Sequence, residues 1–413
     1  MTETVVLSKP VLPGSTLGVL GGGQLGRMLV HEAQRMGYNT AVLDPDAHSP
    51  AGCVSHHHIQ TDYSDAKGLH QLASVCQAVT TEFENVPADA LAQLAQSLPV
   101  SPAASAVAVA QDRAREKAHF VSCGVPVAPH AVIETAAQLA AVSDALLPGI
   151  LKTSRMGYDG KGQQRVRTRE DLARAWDDLK RVPCVLEKML TLVSECSVIV
   201  ARGQDGAMVH LPIQRNVHRN GILAVTEVWP GNMPDALAQQ AIEAAQAVAQ
   251  GLRYVGVLCV EFFVVQEAGA LSLVVNEIAP RPHNSGHYSQ DACDVSQFEL
   301  QVRCMTGLPL IQPRLHSPAI MLNLLGDVWF KKSGSDPNFS ASEFGVPRAS
   351  EKLGSDPDFS QLLRLPGVHL HLYGKSQARV GRKMGHINIT AATPEAACAT
   401  AQQVAGILGL APF

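Results

Sequence analysis

The chain has 413 residues, of which 46% are hydrophobic and 17% charged, and its formal net charge is -4. This composition excludes a disordered or low-complexity chain, and at about 150 residues per domain the length predicts roughly three domains. The slight acidic excess argues against nucleic acid as a partner, because duplex-binding proteins normally carry a basic excess. No stretch approaches the ~18 uninterrupted apolar residues of a membrane span, so no membrane partner is expected.

The nine cysteines are scattered and form no CxxC pair, which argues against a zinc knuckle or a redox dithiol. The first residues, MTETVVLSKP, include an acid and lack the long apolar core of a secretory signal. A cytoplasmic protein with reduced thiols is therefore expected.

Strand and helix signals alternate in the first hundred residues. TLGVL at 16–20 predicts a strand, the Gly-rich turn GGGQLGR follows, and MLVHEAQRMG predicts a helix that ends at Gly37. TAVLD, AKGLHQLASVC and QAVTT continue as strand, helix and strand. Alternation of this kind predicts a parallel sheet.

The Gly-rich turn matches the dinucleotide-binding fingerprint. Gly21, Gly23 and Gly26 satisfy GxGxxG between a strand and a helix, and Asp44 follows Gly26 by 18 residues (44 − 26). That spacing is close to the ~20 residues expected for an acid on a ribose 2′-hydroxyl. An NAD enzyme is one interpretation of this window. A purely structural turn, or a turn that meets another anion, needs glycines at the same positions.

A second Gly-rich segment follows a lysine in the central region. Lys152 ends the apolar strand GILKT, and GYDGKG occupies 157–162. Backbone amides in such a hairpin approach phosphates closely, and the two lysines would add positive charge. The P-loop class is excluded, because the segment is not GxxxxGK[ST]. The strand end EKML at 187–190 could present its backbone to an adenine edge, with Glu187 or Glu195 near the nucleotide. Ordinary loops are the alternative interpretation.

Two carboxylates lie in neighbouring apolar strands. Glu261 in LCVEFF and Glu277 in VVNEIAP are 16 residues apart (277 − 261), with a turn at EAGA between them. A hairpin would bring them together, and buried acids are costly unless they are paired or bind a metal. The pair therefore predicts Mg²⁺ held by oxygen ligands. A buried salt bridge to Arg281 is the alternative.

The last hundred residues contain two further strand signals, VHLHLYGK and GHINIT, on either side of SQARVGRKM. Before them lies a Ser-, Gly- and Pro-rich stretch with two near-identical heptamers, GSDPNFS at 334–340 and GSDPDFS at 354–360. Two copies do not make a solenoid. Paired surface turns in an inserted loop are the favoured interpretation, and a binding element is the alternative.

The lysine strand, the Gly-rich hairpin, EKML and the paired acids before APRPHNSGH together resemble the ATP-grasp superfamily. Within it, VLGGGQLGRML, TEFENV, GYDGKGQ, NEIAPRPHNSGHYSQDA, SQFELQVR and GRKMGHIN resemble the 5-(carboxyamino)imidazole ribonucleotide synthases over nearly the whole chain. NSGH and GRKMGH are specific to that family. The resemblance implies that the Gly-rich turn is a substrate-side anion turn and not an NAD site.

The resemblance also implies a fold of mixed class, α/β and α+β. The ATP-grasp fold would occupy 112–315, with a lid at about 150–215. An N-terminal parallel-sheet domain (the pre-ATP-grasp domain) would precede it at 1–111. A small β-rich domain would follow at 316–413. The inserted loop at 327–366 and an extended N-terminus depart from the family's pattern.

The site residues implied by the resemblance form three groups. The ATP contacts are Arg113, Lys152, Gly157, Tyr158, Asp159, Gly160, Lys161, Gly162, Gln163, Glu187, Lys188, Met189, Leu190, Glu195, His218, Asn276 and Glu277. The Mg²⁺ ligands are Glu261 and Glu277. The residues around the ribonucleotide and bicarbonate, which with Lys152 form the catalytic group, are Tyr158, Asp159, Arg281, His283, Lys375 and Arg382.

The implied reaction uses ATP, Mg²⁺ and bicarbonate to carboxylate 5-aminoimidazole ribonucleotide through carboxyphosphate. Lys152 would stabilise the transferring phosphoryl group, the hairpin would close as a lid against water, and Asp159 would orient the amine. Lys375 and Arg382 would bind the 5′-phosphate. A homodimer and transfer of the product to a separate mutase are also implied. The alternatives are a formate-using glycinamide ribonucleotide transformylase, an NAD(P) dehydrogenase and a non-catalytic nucleotide sensor.

Overall fold

The structure is a computed structural model that describes residues 7–155, 157, 162–267, 269–330 and 357–413. The first heptamer, 334–340, lies outside the described residues, and so does most of the GYDGKG segment. Within the described residues the strands form three sheets. None of the described helices is both long and apolar enough to cross a membrane.

The N-terminal region forms the predicted parallel sheet. Its elements are, in chain order, β1 (Thr16–Leu20), α1 (Gln24–Arg35), β2 (Asn39–Leu43), β3 (His57–Ile59), α2 (Ala66–Val75), β4 (Ala78–Thr81), α3 (Ala88–Leu94) and α4 (Ala104–Ala110). The sheet order is β3-β2-β1-β4, with every pair parallel. Gly37 has φ +86° just beyond α1. This left-handed conformation favours glycine, so the predicted helix end is confirmed.

The central region begins with a helix and a small antiparallel sheet. Its first elements are α5 (Arg113–Ser122), β5 (His130–Ile133), α6 (Ala136–Ala140), β6 (Gly149–Thr153), β7 (Gln163–Val166), α7 (Arg169–Asp178) and β8 (Cys184–Lys188). The sheet order is β5-β8-β6-β7. Lys152 and Glu187 therefore lie on the adjacent strands β6 and β8.

The rest of the central region builds most of a nine-stranded sheet. Its elements are β9 (Leu192–Arg202), β10 (Met208–His210), β11 (Gln214–Arg219), β12 (Ile222–Val228), α8 (Asp235–Gly251), β13 (Gly256–Glu267), β14 (Ala270–Ala279), α9 (Ser289–Ala292) and α10 (Gln297–Thr306). The hairpin of β13 and β14 places Glu261 directly opposite Glu277. The predicted approach of the two acids is confirmed.

The C-terminal region continues the same sheet. It contains β15 (Ala319–Leu325), α11 (Phe359–Leu362), β16 (Val368–Leu372), β17 (Lys383–Thr390) and α12 (Pro394–Ile407). The full order is β14-β13-β9-β11-β12-β15-β17-β16, with β10 paired to β9. Val328 and Leu362, near the two ends of the range predicted as an inserted loop, are buried in the core beneath α12. The described ends of that range are therefore part of the folded core.

The N-terminal sheet packs against the central region through α1 and α10. Phe298 and Val302 of α10 are buried in one cluster with Leu25 and Leu29 of α1. The cavity described below lies between the N-terminal region, the small antiparallel sheet and the large sheet.

Candidate active site

A cavity of ≈ 1190 Å³ opens where the three regions meet. The predicted site residues that line it are Arg113, Lys152, Gly157, Gln163, Glu187, Lys188, Met189, Leu190, Glu195, His218, Glu261, Asn276, Glu277, Arg281 and His283. Residues from seven strands and the helix α5 converge there, although they are spread over 170 positions of the sequence (283 − 113). Such convergence is typical of a ligand site.

Two lysines share one buried carboxylate on the cavity wall. Lys152 Nζ lies 3.1 Å from Glu187 Oε2, and Lys117 Nζ lies 3.3 Å from Glu187 Oε1. The side chains of Lys117 and Glu187 are 0% and 4% exposed. Glu187 was predicted to reach a nucleotide, but both of its carboxylate oxygens face lysines here. Its position points to a role in holding the two cations together.

The cations outnumber the ionised acids on this wall. Burial opposes ionisation of Glu187, but Lys152, Lys117 and Arg113 outweigh it and lower its pKa. Burial, with Arg113 and Lys117 nearby, lowers the pKa of Lys152 in spite of Glu187. Both effects follow from one carboxylate serving two lysines beside an arginine. Burial also raises the pKa of Glu116 to about 8, so at neutral pH this acid is mostly uncharged. The excess positive charge suits a polyphosphate.

The hairpin carboxylates differ in their surroundings. The Glu277 side chain is 41% exposed to the cavity and accepts hydrogen bonds from both terminal nitrogens of Arg113, at 3.3 Å. The Glu261 side chain is only 12% exposed. The expectation that both acids are buried is therefore wrong for Glu277, which opens to the cavity. The neighbouring Asn276 Oδ1 is buried and has no hydrogen-bond partner among the described residues.

Two histidines flank Glu261. His283 Nε2 lies 3.1 Å from Glu261 Oε1, and His218 Nε2 lies 3.9 Å from Glu261 Oε2. Burial opposes ionisation of Glu261, but His283 and His218 outweigh it and lower its pKa. His218 Nδ1 lies 2.7 Å from Glu195. Burial opposes the charged form of His218, but Glu195 and Glu261 outweigh it and raise its pKa. These polar groups form one connected cluster.

Arg281 does not pair with the hairpin acids. Its Nε donates a hydrogen bond to Glu84 of the TEFENV segment. The alternative of a buried salt bridge from Arg281 to Glu261 or Glu277 is therefore wrong. Because Glu84 belongs to the N-terminal region, the Arg281–Glu84 pair joins two regions at the cavity wall.

The Gly-rich turn is filled by carboxylates of the chain itself. Gly22 N donates to Asp44 Oδ2 at 2.7 Å, and the amides of Gly23 and Gly26 donate to Glu82 at 2.8 and 3.2 Å. For these three amides the interpretation as an open site for a substrate anion is wrong. Asp44 Oδ2 also accepts the Tyr63 hydroxyl at 2.6 Å. It is therefore engaged within the fold, which argues against the ribose contact of an NAD site.

The basic residues Lys375, Arg382 and Lys383 of the C-terminal loop differ in their position relative to the cavity. Lys383 lines the cavity, whereas Lys375 and Arg382 do not. Lys375 Nζ donates to the Lys383 carbonyl at 2.7 Å, and Arg382 donates to the Gln377 carbonyl at 2.8 Å. Gly162 is described but does not line the cavity. Tyr158, Asp159, Gly160 and Lys161 lie outside the described residues.

Lys117 and Glu116 are site residues that sequence reasoning missed, because their segment was treated only as a charged helix. A signal was present. Arg113, Glu116 and Lys117 lie three and four positions apart, so a helix places them on one face. In the structure Arg113 and Glu116 on this face of α5 line the cavity, and Lys117 contacts Glu187. Lys383 was also missed, one position beyond the predicted Arg382.

Comparison with known proteins gives three matching family models in chain order. They are a ribonucleotide synthetase preATP-grasp domain at 15–111, an ATP-grasp domain at 118–298, and a phosphoribosylaminoimidazole carboxylase C-terminal domain at 319–400.

Similar proteins match over almost their full length. The N5-carboxyaminoimidazole ribonucleotide synthase of Brucella melitensis is 40% identical over 91% of this chain and 96% of its own. The crystal structure of the Staphylococcus aureus N5-carboxyaminoimidazole synthetase with ADP has 35% identity and a TM-score of 0.83, covering 97% of this chain and 98% of its own.

The Aspergillus clavatus N5-carboxyaminoimidazole synthase, solved with ADP and 5-aminoimidazole ribonucleotide, has 32% identity and a TM-score of 0.81. The match covers 96% of this chain and 98% of that one. These matches agree with the ATP-grasp architecture, the paired hairpin acids and the cationic wall, which consists of Lys117, Lys152 and Arg113 around Glu187. The chain belongs to the N5-carboxyaminoimidazole ribonucleotide synthases, which are ATP-grasp ligases.

Proposed function

We propose that the protein uses ATP and bicarbonate to carboxylate the exocyclic amine of 5-aminoimidazole ribonucleotide, as a step of purine biosynthesis. One observation carries the proposal. The cationic wall around Glu187 and the opposed acids Glu261 and Glu277 line one cavity, in a chain whose family acts on this chemistry.

ATP would bind with its phosphates along Lys152 and Arg113, which line the cavity, and the buried Lys117 would add positive charge from the far side of Glu187. The buried cations are arranged before the ligand arrives, so little reorganisation is needed when charge develops on the phosphoryl oxygens. The backbone of Lys188, Met189 and Leu190, which lines the same cavity, would lie along the adenine.

The hairpin fits Mg²⁺. Glu261 and Glu277 would supply oxygen ligands from directly opposed positions. Asn276 Oδ1, which is buried and has no hydrogen-bond partner among the described residues, would add another oxygen. Hard oxygen donors of this kind suit Mg²⁺. When bound, Mg²⁺ would neutralise negative charge on the phosphates. Arg113 would keep the Glu277 carboxylate oriented through its two hydrogen bonds.

In the proposed reaction an oxygen of bicarbonate attacks the γ-phosphorus of ATP, and ADP leaves as carboxyphosphate forms. Lys152 stabilises the transferring group. The amine of the ribonucleotide then attacks the carboxyl carbon of carboxyphosphate, and phosphate leaves. In the alternative route carboxyphosphate first releases CO₂ and phosphate, and the amine attacks the CO₂. His283 and Arg281 line the part of the cavity between the hairpin and the N-terminal region, where they would hold bicarbonate and the ribonucleotide. Asp159 would orient the amine.

Lys375 and Arg382 are proposed to bind the 5′-phosphate of the ribonucleotide, and the position of Lys383 adds a third cation at the cavity edge. A homodimer, transfer of the product to a separate mutase and a cytoplasmic location stay predictions.

A coupled assay of ADP release tests the proposal. ADP should form with 5-aminoimidazole ribonucleotide only when bicarbonate is present, and formate should not replace it. ADP release with formate and glycinamide ribonucleotide would favour the transformylase. ATP binding without ADP release for any amine would favour a nucleotide sensor.

The Lys383→Ala, Lys375→Ala and Arg382→Ala variants locate the phosphate site. Loss of one charge-assisted hydrogen bond should lower specificity for the ribonucleotide by about 10- to 150-fold, or about 1.5–3 kcal/mol. ATP affinity, measured without the ribonucleotide, should stay within about twofold, since this loop is separate from the cationic wall. If one of these variants instead weakens ATP binding, the substituted residue does not belong to the 5′-phosphate site.

A further inference from the structure

A cysteine lies beneath the hairpin acids. Cys259 and Glu261 are two positions apart on β13, so their side chains project from the same face of the strand. A sulfur of Cys259, an oxygen of Glu261 and a ring nitrogen of His283 all lie within 4.8 Å of one another. Cys259 is fully buried. Among the described residues this is the one group of three or more such side chains close enough to share a metal ion.

The three side chains offer a different chemistry from the Mg²⁺ ligands. Thiolate, imidazole and carboxylate together are typical zinc ligands, whereas Mg²⁺ prefers oxygen alone. Zinc bonds of about 2.0–2.3 Å in a tetrahedron place ligand atoms roughly 3.5 Å apart. Atoms already within 4.8 Å need only small side-chain rotations to reach that spacing.

The site is held in place by its surroundings. Gln297 fixes the His283 backbone, since its side chain accepts from His283 N and donates to His283 O, both at 2.8 Å. His283 Nδ1 lies 3.0 Å from Ser285 Oγ, and Ser285 Oγ accepts from Ser197 at 2.8 Å. A metal-bound histidine usually donates its other ring N–H to an oxygen. His283 Nδ1 also accepts from Ser285 N at 3.3 Å, so on metal binding this contact would give way to donation from Nδ1 to Ser285 Oγ.

We propose that Cys259, Glu261 and His283 form a binding site for Zn²⁺ or a similar thiophilic cation, and that its occupation excludes Mg²⁺ from Glu261. Binding replaces the His283–Glu261 contact, and the Cys259 thiol proton passes to solvent. The fourth position faces the cavity, because Glu261 and His283 both line it. Zinc would therefore inhibit the enzyme by taking a carboxylate that the proposed reaction needs.

Direct binding is measured on the full chain without nucleotide. Co²⁺ serves as a spectroscopic probe, because a cysteine ligand gives a near-ultraviolet thiolate-to-cobalt band. Zn²⁺ retained after gel filtration is counted after denaturation. Cys259→Ala should abolish the band and lower zinc affinity about tenfold or more. Cys196→Ala is the matched control. Cys196 is also buried in a neighbouring strand, but its side chain packs in the hydrophobic cluster beneath α8, and both signals should persist.

Inhibition is measured as ADP release at fixed Mg²⁺ with rising Zn²⁺. The wild type and Cys196→Ala should be inhibited and should recover with a chelator, and Cys259→Ala should need about tenfold more Zn²⁺. Equal inhibition and equal zinc retention in all three proteins would overturn the site, and so would the absence of a thiolate band in the wild type. Cys259→Ser, which keeps the side-chain volume, replaces the alanine variant if the latter does not fold. The binding measurements do not depend on the proposed function. Failure of the proposed function would be seen separately, as absent ADP release with Mg²⁺ in zinc-free buffer.

Discussion

Replacing Glu187 by glutamine removes the one carboxylate that Lys117 and Lys152 share, with little change in shape. No other described carboxylate lies within ion-pair distance of either lysine. Breaking a buried ion pair from one side costs about 3–5 kcal/mol, because a charge is left without compensation. With two cations at 3.1 and 3.3 Å from the lost charge, we expect Glu187→Gln to fall near the upper end of that range.

The assay is urea unfolding of the variant and the wild type, with and without ATP. A loss of this size is a large share of a typical stability of about 5–15 kcal/mol. ATP phosphates would supply negative charge to Lys152, which lines the cavity, so ATP should raise the unfolding free energy of Glu187→Gln more than that of the wild type. Glu243→Gln, at an exposed position of α8, is the control and should change stability by less than about 0.5 kcal/mol.

Two outcomes would refute this reasoning. A cost below about 1 kcal/mol would mean that the lysines do not carry an uncompensated charge in the variant. A smaller stabilisation by ATP than in the wild type would instead assign Glu187 to direct contact with the nucleotide.

Three further changes test other parts of the site. Glu277→Gln should lower ADP formation by more than ~100-fold, because it removes a charged metal ligand, and near-normal turnover at saturating Mg²⁺ would contradict the assignment. Glu116 has its pKa raised by burial from 4.5 to about 8, so its contribution to stability is complete below pH 4.5 and is lost as pH rises toward 8. Glu116→Gln should therefore flatten the unfolding free energy across that window, and parallel pH profiles would contradict it. Asp44→Ala leaves the Gly22 amide and the Tyr63 hydroxyl without their acceptor; it should cost about 1–3 kcal/mol of stability and leave the Michaelis constants for ATP and ribonucleotide unchanged, and a rise in either constant would restore a ligand-binding role for Asp44.

The parts of the site that the sequence predicts are those set by local geometry. The opposition of Glu261 and Glu277 follows from two apolar strands and one short turn, which leave little freedom in the pairing. The contact of Lys117 with Glu187 spans 70 positions (187 − 117), and no local pattern contains such a distance. The Gly-rich turn shows another limit. Its glycines allow an acceptor group to approach the backbone amides closely. The spacing of the glycines in the sequence does not show that this acceptor is the Glu82 carboxylate.

The β12–β15 pairing has a consequence for engineering. Alternate residues of β15 enter two different cores, Ile320 and Leu322 in one and Ala319 and Met321 in the other. The ATP-grasp family model ends at 298 and the C-terminal family model begins at 319. The sheet continues across this boundary, because β12 pairs with β15. A chimera that takes its C-terminal segment from a relative would have to match both cores and the β12 edge at once. Exchange of this segment should therefore succeed only together with β12, and its removal would leave an unpaired strand edge that favours aggregation.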